Sequence, residues 1–222
     1  MPQPTNSFKT LGGLVPVHYD RFDPPFHYGS RGKEHTFFCQ SDFETMLDNA
    51  FRDVWLYTGL GKAEVITSAG AFTNKPGQHG RGRALDIDGI FWSNKTFVTL
   101  HAGWQGQDRN FYFGIEAVLR RHFGVVLDYE YNQPHRDHFH VDDSNTVAFR
   151  TGSFSKVRSL QGMLNHVWGK NVDEDGDWGD QTEGAVSEVL NTVNLPGPIT
   201  TQAQWLLFLK KTAEKAFGTQ VQ

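Results

Sequence analysis

Two short stretches constrain the fold of this chain more than any other feature. Asp86 and Asp88 stand two residues apart, and so do His138 and His140. On a β-strand such a pair points to one face. If both stretches are extended, their carboxylates and imidazoles can line one pocket while Phe139 turns into the core. His79 opens the first stretch, His79-Gly80-Arg81-Gly82-Arg83-Ala84-Leu85-Asp86, and His135 opens the second, His135-Arg136-Asp137-His138-Phe139-His140. Gly82 and Ala84 suit a loop that passes close to a sheet, where a larger side chain would collide. Two imidazoles and one carboxylate from these stretches would meet the needs of a catalytic zinc, which takes three protein ligands and keeps one position open. A nearby carboxylate must then take a proton from water and pass it to the leaving amine, and Asp137 is well placed for that. The bland alternative is a polar loop with scattered histidines. It does not account for the joint occurrence of the spacing and the small residues.

The bulk properties are those of an ordinary globular chain. Hydrophobic residues are 38% and charged residues 21% of 222, and the net charge is −4 with histidine neutral. No basic field points to nucleic acid. No stretch approaches the roughly 20 apolar residues of a membrane span, so membrane insertion is not expected. Cys39 is the single cysteine. It allows neither an intramolecular disulfide nor a multi-cysteine zinc cage. Its aromatic context, Thr36-Phe37-Phe38-Cys39, favours burial over reactivity.

Residues 1–35 are rich in Pro, Gly, Tyr and Phe and read as an irregular arm. Ser41 and Glu44 form a candidate capping box, followed by a helical stripe of Phe43, Met46, Leu47, Ala50, Phe51, Val54 and Trp55. Gly59 and Gly61 end it. Strands are expected at 63–69, 84–91, 97–101, 125–131 and 138–142, with a loop at 73–83 and a helix over 109–122. The pattern predicts an α+β fold, with a small antiparallel sheet and flanking helices over 1–152. A linker near 150–156 then leads into a small three-helix domain at 156–222. Its helices are expected at 156–168, 180–193 and 200–216, the second capped by Asp180 or Thr182.

The pattern His-x-x-Gly-x-Ala-x-Asp at 79–86, followed by His-x-Asp-His-x-His at 135–140, resembles the LAS-type zinc metallopeptidases. These include zinc D-alanyl-D-alanine carboxypeptidases, and the extensin-like C-terminal family shares the signatures. The resemblance covers roughly 40–145. It implies that His79, Asp86 and His140 ligate Zn2+, that Asp137 is the general base, and that His138 and His135 line the site and stabilise an oxyanion. Gly77 stands where the carboxypeptidases often carry serine. Arg81, Arg83 and Arg136 are the candidates for binding a substrate carboxylate.

Val157-Arg158-Ser159-Leu160-Gln161, Asp175-Gly176-Asp177-Trp178-Gly179-Asp180-Gln181-Thr182 and Leu195-Pro196-Gly197 resemble the peptidoglycan-binding domain type 1, over about 156–215. The resemblance implies a polymer-holding unit, in which Trp178 and Trp205 are the residues able to stack on sugars. An EF-hand reading of Asp173, Asp175 and Asp177 fails, because Trp178 takes the glycine position and Gly184 the bidentate glutamate position.

Together these features predict a monomeric zinc peptidase that cuts the stem or cross-link peptide of peptidoglycan, as endopeptidase or carboxypeptidase. Residues 1–20 lack a signal-peptide pattern. The expectation is therefore synthesis in the cytoplasm and action in the periplasm or cell wall. Delivery would be holin-dependent, as for a phage endolysin, or by a secretion system, as for an antibacterial effector, unless a signal has been removed. Two other readings compete. One is a non-catalytic wall-binding protein with a structural zinc, against which an intact Asp137 argues. The other is a cysteine amidase using Cys39, which leaves the paired histidine motifs unexplained.

Overall fold

The structure is a computed structural model and describes residues 3–22, 27–195 and 197–221. Pro196 of the C-terminal motif thus lies outside the described residues. The arm is less irregular than expected. It holds β1 (Ser7–Phe8), β2 (Thr10–Leu11), β3 (Val15–Tyr19) and β4 (Lys33–Glu34), and β5 (Phe37–Phe38) follows. Val15 and Val17 are buried on one side of β3. Their alternation is too short to read against Pro16 and the flanking glycines, and it is pairing with the sheet that orders them.

Helix α1 (Ser41–Thr58) buries Phe43, Leu47, Ala50, Phe51, Val54 and Trp55, and Gly59 ends it in the left-handed region at φ 66°. The Ser41–Glu44 capping box does not form. Glu44 instead accepts a hydrogen bond from Asn6 Nδ2 at 2.7 Å, which ties the arm to the helix.

The central strands are β6 (Val65–Gly70), β7 (Ala84–Phe91), β8 (Thr96–Val98), β9 (Val125–Leu127) and β10 (Phe139–Asp142). The main sheet runs β2-β3-β6-β7-β10-β9, with β4 beside β3 and β8 beside β7. It is antiparallel except for β3 and β6, which are parallel. That pair needs a crossover, and α1 lies in the connection. β7 and β10 pair with His140 opposite Asp86. The expected strand at 97–101 gives way to a π-helical turn, Leu100–Trp104. The expected strand at 125–131 stops early because Asp128 accepts the Tyr131 backbone N–H and closes a turn.

Helix α2 (Arg109–His122) covers the same face of the sheet as α1. Phe139 points to it and meets the Tyr112 ring at 4.5 Å. Strand alternation therefore sends His140 to the opposite face.

The C-terminal helices are α3 (Phe154–His166), α4 (Asp180–Thr192) and α5 (Gln202–Phe217). Gly179, not Asp180 or Thr182, precedes α4 as its cap residue. Thr182 Oγ1 is turned inward and accepts from Gln161 Nε2 at 3.0 Å. These helices share one continuous core with the sheet unit. The absent side chains of Gly114 and Gly162 let α5 and α3 approach: a Cβ at Gly114 would meet Phe217, and one at Gly162 would meet Phe113. The buried Arg120 adds a polar lock, donating to Glu116 Oε1 at 2.6 Å and to Ser159 Oγ at 2.8 Å.

One close approach gives a sharp test. A Cβ on Gly124 would lie 1.8 Å from the Asn145 carbonyl oxygen, whereas nothing stands within 4 Å of one on Gly152. Backbone cannot yield as a flexible side chain can. Gly124→Ala should cost about 3 kcal/mol or more. Gly152→Ala should change stability by less than about 0.5 kcal/mol. Thermal melts of the two variants check this, and similar melting points would contradict it.

Candidate metal centre

Three side chains from three elements converge on the face opposite the helices. His79 comes from a 3-10 turn, His79–Arg81, that Gly82 closes at φ 67°. A Cβ at Gly82 would run into Pro4 and crowd the Cys39 backbone, so the small residue lets arm and turn pack together. Asp86 and His140 sit opposite each other on β7 and β10.

The donor atoms form a triangle. His140 Nδ1 is 2.9 Å from Asp86 Oδ1, His79 Nε2 is 3.2 Å from that oxygen, and the two ring nitrogens are 3.1 Å apart. Bonds of about 2.0–2.2 Å to a tetrahedral ion would put such atoms about 3.3–3.5 Å apart. The three residues can hold a metal ion.

Neighbouring groups decide what these atoms offer. His79 Nδ1 contacts the Ala71 carbonyl, which can only accept. His140 Nε2 lies 3.1 Å from Asp142 Oδ2. With a metal bound, each outer nitrogen would keep the proton and each inner nitrogen would present a lone pair beside the Asp86 oxygen. Three lone pairs at this spacing repel one another unless a proton or a metal ion lies among them.

Electrostatics agree. Burial would raise the Asp86 carboxyl, but His140 and His79 pull it below the usual carboxylate range. Burial would lower His140, yet Asp142 and Asp86 outweigh it and push the imidazole up to about 9. The metal-free protein thus puts a proton on His140 where the ion would sit. That proton stabilises the fold fully below the ordinary histidine value, and its contribution fades as pH rises through about 9. A metal must displace it. Zinc titrated at pH 7 into the metal-free protein should release about one proton per ion. Calorimetry in buffers of different ionisation enthalpy reads this directly. Uptake without proton release would mean that His140 does not meet the ion as a neutral imidazole.

Asp137 and His138 lie beside the triangle. His138 Nδ1 donates to Asp137 Oδ1 at 2.8 Å, and His138 Nε2 is 3.7 Å from Asp86 Oδ1. Burial would raise Asp137, but bonds from His138 and Tyr28 and the charge of Arg21 hold it well below the carboxylate range. His135 packs between His138 and His140, its ring tilted to the first and edge-on to the second, with centroids at 5.2 and 5.9 Å. Burial, with the two neighbouring imidazoles, lowers its pKa to about 4, and its Nδ1 is 2.5 Å from Asn132 Oδ1. Its one proton is therefore committed to Asn132, which leaves it no N–H to offer an oxyanion.

The other candidates are placed differently. Arg83 is clamped between Asp42 and Asp143, so its fork is already filled. Arg81 is exposed on the turn that carries His79. Arg136 is half-buried, with Nη1 near the Gln133 carbonyl. Trp205 is fully buried, stacked on Phe208 and packed on Phe149, and so offers no face to a sugar. Its place in the buried stripe of α5, with Phe208, Leu209, Thr212 and Ala213, was the sequence signal for a core residue. Trp178 is half-buried against Phe149. Cys39 is buried, and burial with nearby Glu44 pushes its thiol up to about 12, which argues against a nucleophile.

Sequence reasoning missed Arg21 and Tyr28. The Tyr28 hydroxyl donates to Asp137 Oδ2 at 2.6 Å, and Arg21 Nη1 donates to the same oxygen at 3.1 Å. Arg21 also pairs with Asp88, which is almost completely buried. No curated protein and no solved structure matches the chain. The family described as extensin-like protein C-terminus matches residues 66–151, the span from β6 past β10 that holds all three candidate ligands and the Asp137–His138 pair.

Proposed function

We propose that this protein is a zinc-dependent hydrolase that cuts peptide bonds in the stem or cross-link peptides of bacterial peptidoglycan. The observation that carries the reading is the convergence of three lone-pair donors from His79, Asp86 and His140, with the Asp137–His138 pair at their edge. Two imidazoles and one carboxylate suit zinc. Zinc, when bound, supplies Lewis acidity that lowers the pKa of water and polarises a carbonyl. Peptidoglycan as the polymer follows from the resemblance of the two motifs to LAS-type peptidases, with which the extensin-like match is consistent.

The chain's own residues handle the protons. Asp137 accepts three hydrogen bonds, which hold its charge in place and turn His138 Nδ1–H toward it. The lone pair of His138 Nε2 then faces the metal centre. In this reading Asp137 acts as base through His138, which takes a proton and returns it to the leaving amine.

The test uses the full chain stripped of metal by a chelator and then restored with zinc. Purified peptidoglycan fragments are digested and analysed by mass spectrometry. Zinc-dependent release of peptides with new amino termini is expected, and the fragment masses name the bond. Peptides left intact, or cleavage between sugars, would contradict the reading.

A further inference from the structure

We infer that the N-terminal arm is a working part of the site: Tyr28 and Arg21 are positioning residues that hold the Asp137 carboxylate against His138, so that His138 Nε2 faces the metal centre. The inference rests on the hydrolase reading above. It adds two residues that lie outside the matched segment 66–151.

The hydrogen bonds leave little freedom. Tyr28 Oη receives Arg21 Nη1–H at 3.0 Å, so its own proton is directed at Asp137 Oδ2, 2.6 Å away. Arg21 Nη1 also reaches Oδ2, at 3.1 Å. A carboxylate on a single methylene can otherwise turn about its last torsion, which is broad. Two donors on Oδ2 fix its plane and leave Oδ1 for His138 Nδ1 at 2.8 Å.

The clamp is itself anchored. Arg21 pairs with Asp88 and approaches Asp20 at 3.4 Å, and its guanidinium lies 4.8 Å from the Tyr28 ring centroid. The ring packs on Val65, Phe91 and Val98. The arm thus reaches the site from a base rooted in the sheet. A purely structural role would need only the ring's packing and the charge opposite Asp88. The hydroxyl proton aimed at Asp137 serves neither purpose.

Tyr28→Phe separates the two roles, because it keeps the ring and removes one hydroxyl. In the zinc-loaded full chain, this variant should retain zinc and melting temperature. Its KM for peptidoglycan fragments should stay near wild type while kcat falls about tenfold. The acid limb of kcat should move to higher pH, since a carboxylate that loses a donor takes up a proton more readily. Nitrogen NMR of the imidazoles gives a readout without turnover. The hydrogen-bonded Nδ1–H of His138 should be protected in wild type and exchange faster in Tyr28→Phe. Unchanged kcat, pH profile and His138 signal would overturn the clamp. If the wild type cuts no wall peptide, the hydrolase reading falls, and the NMR comparison alone decides: faster exchange in Tyr28→Phe supports the clamp, and equal protection refutes it.

Discussion

His140→Ala is expected to lose its metal and with it nearly all turnover. The substitution removes one of three donors and leaves His79 and Asp86 alone at the centre. Structural zinc sites are worth roughly 10–16 kcal/mol shared among their ligands, so one lost donor should weaken binding on the order of 10³-fold. The fold should survive. The flanking Phe139 and Val141 keep their places in the core, and Asp142 keeps its bonds from Ser144. Elemental analysis after dialysis, alongside a thermal melt, separates loss of metal from loss of structure. Asp142→Ala should act in the same direction but more weakly, by about 10–100-fold in affinity, because it only orients His140. Retention of a full metal complement by His140→Ala would remove His140 from the ligand set.

Asp137→Ala is expected to keep metal and fold while losing about 10²–10⁴ in turnover, the usual cost of removing a general base or the carboxylate that orients it. Arg21 stays paired with Asp88 and near Asp20 in this variant, so no buried charge is stranded. His138→Ala should cost a similar factor. The double variant should be hardly worse than either single one, since residues that act as a unit are not additive. Turnover on peptidoglycan fragments measures all three. Near-wild-type rates in Asp137→Ala, or full additivity in the double variant, would sink the pairing.

How much of this was legible depends on where each residue sits. β7 and α2 could be read end to end, because Ala84–Phe91 and Arg109–His122 each have a dominant pattern and clear borders. The convergence of Asp86 and His140 followed from two-residue spacing on paired strands, whose register is fixed by the buried Leu85, Ile87, Phe139 and Val141. The strand ends were not legible, because Asp128 and the π-helical turn after Val98 redirect the chain through contacts that propensity does not record. Ser41 and Glu44 matched a capping box, but Asn6, distant in sequence, claims the glutamate. The arm shows the same limit at the site itself. Arg21 and Tyr28 belong to no periodic pattern, and only the folded chain brings them to Asp137.

Whether His79, Asp86 and His140 hold one zinc ion can be read from X-ray absorption at the zinc edge. One zinc per chain is expected, with two nitrogens at about 2.0–2.1 Å, one carboxylate oxygen at about 2.0–2.2 Å and no sulfur. Part of the nitrogen shell should disappear in His140→Ala. No zinc after supplementation, or a shell that contains sulfur or is unchanged in that variant, would contradict it.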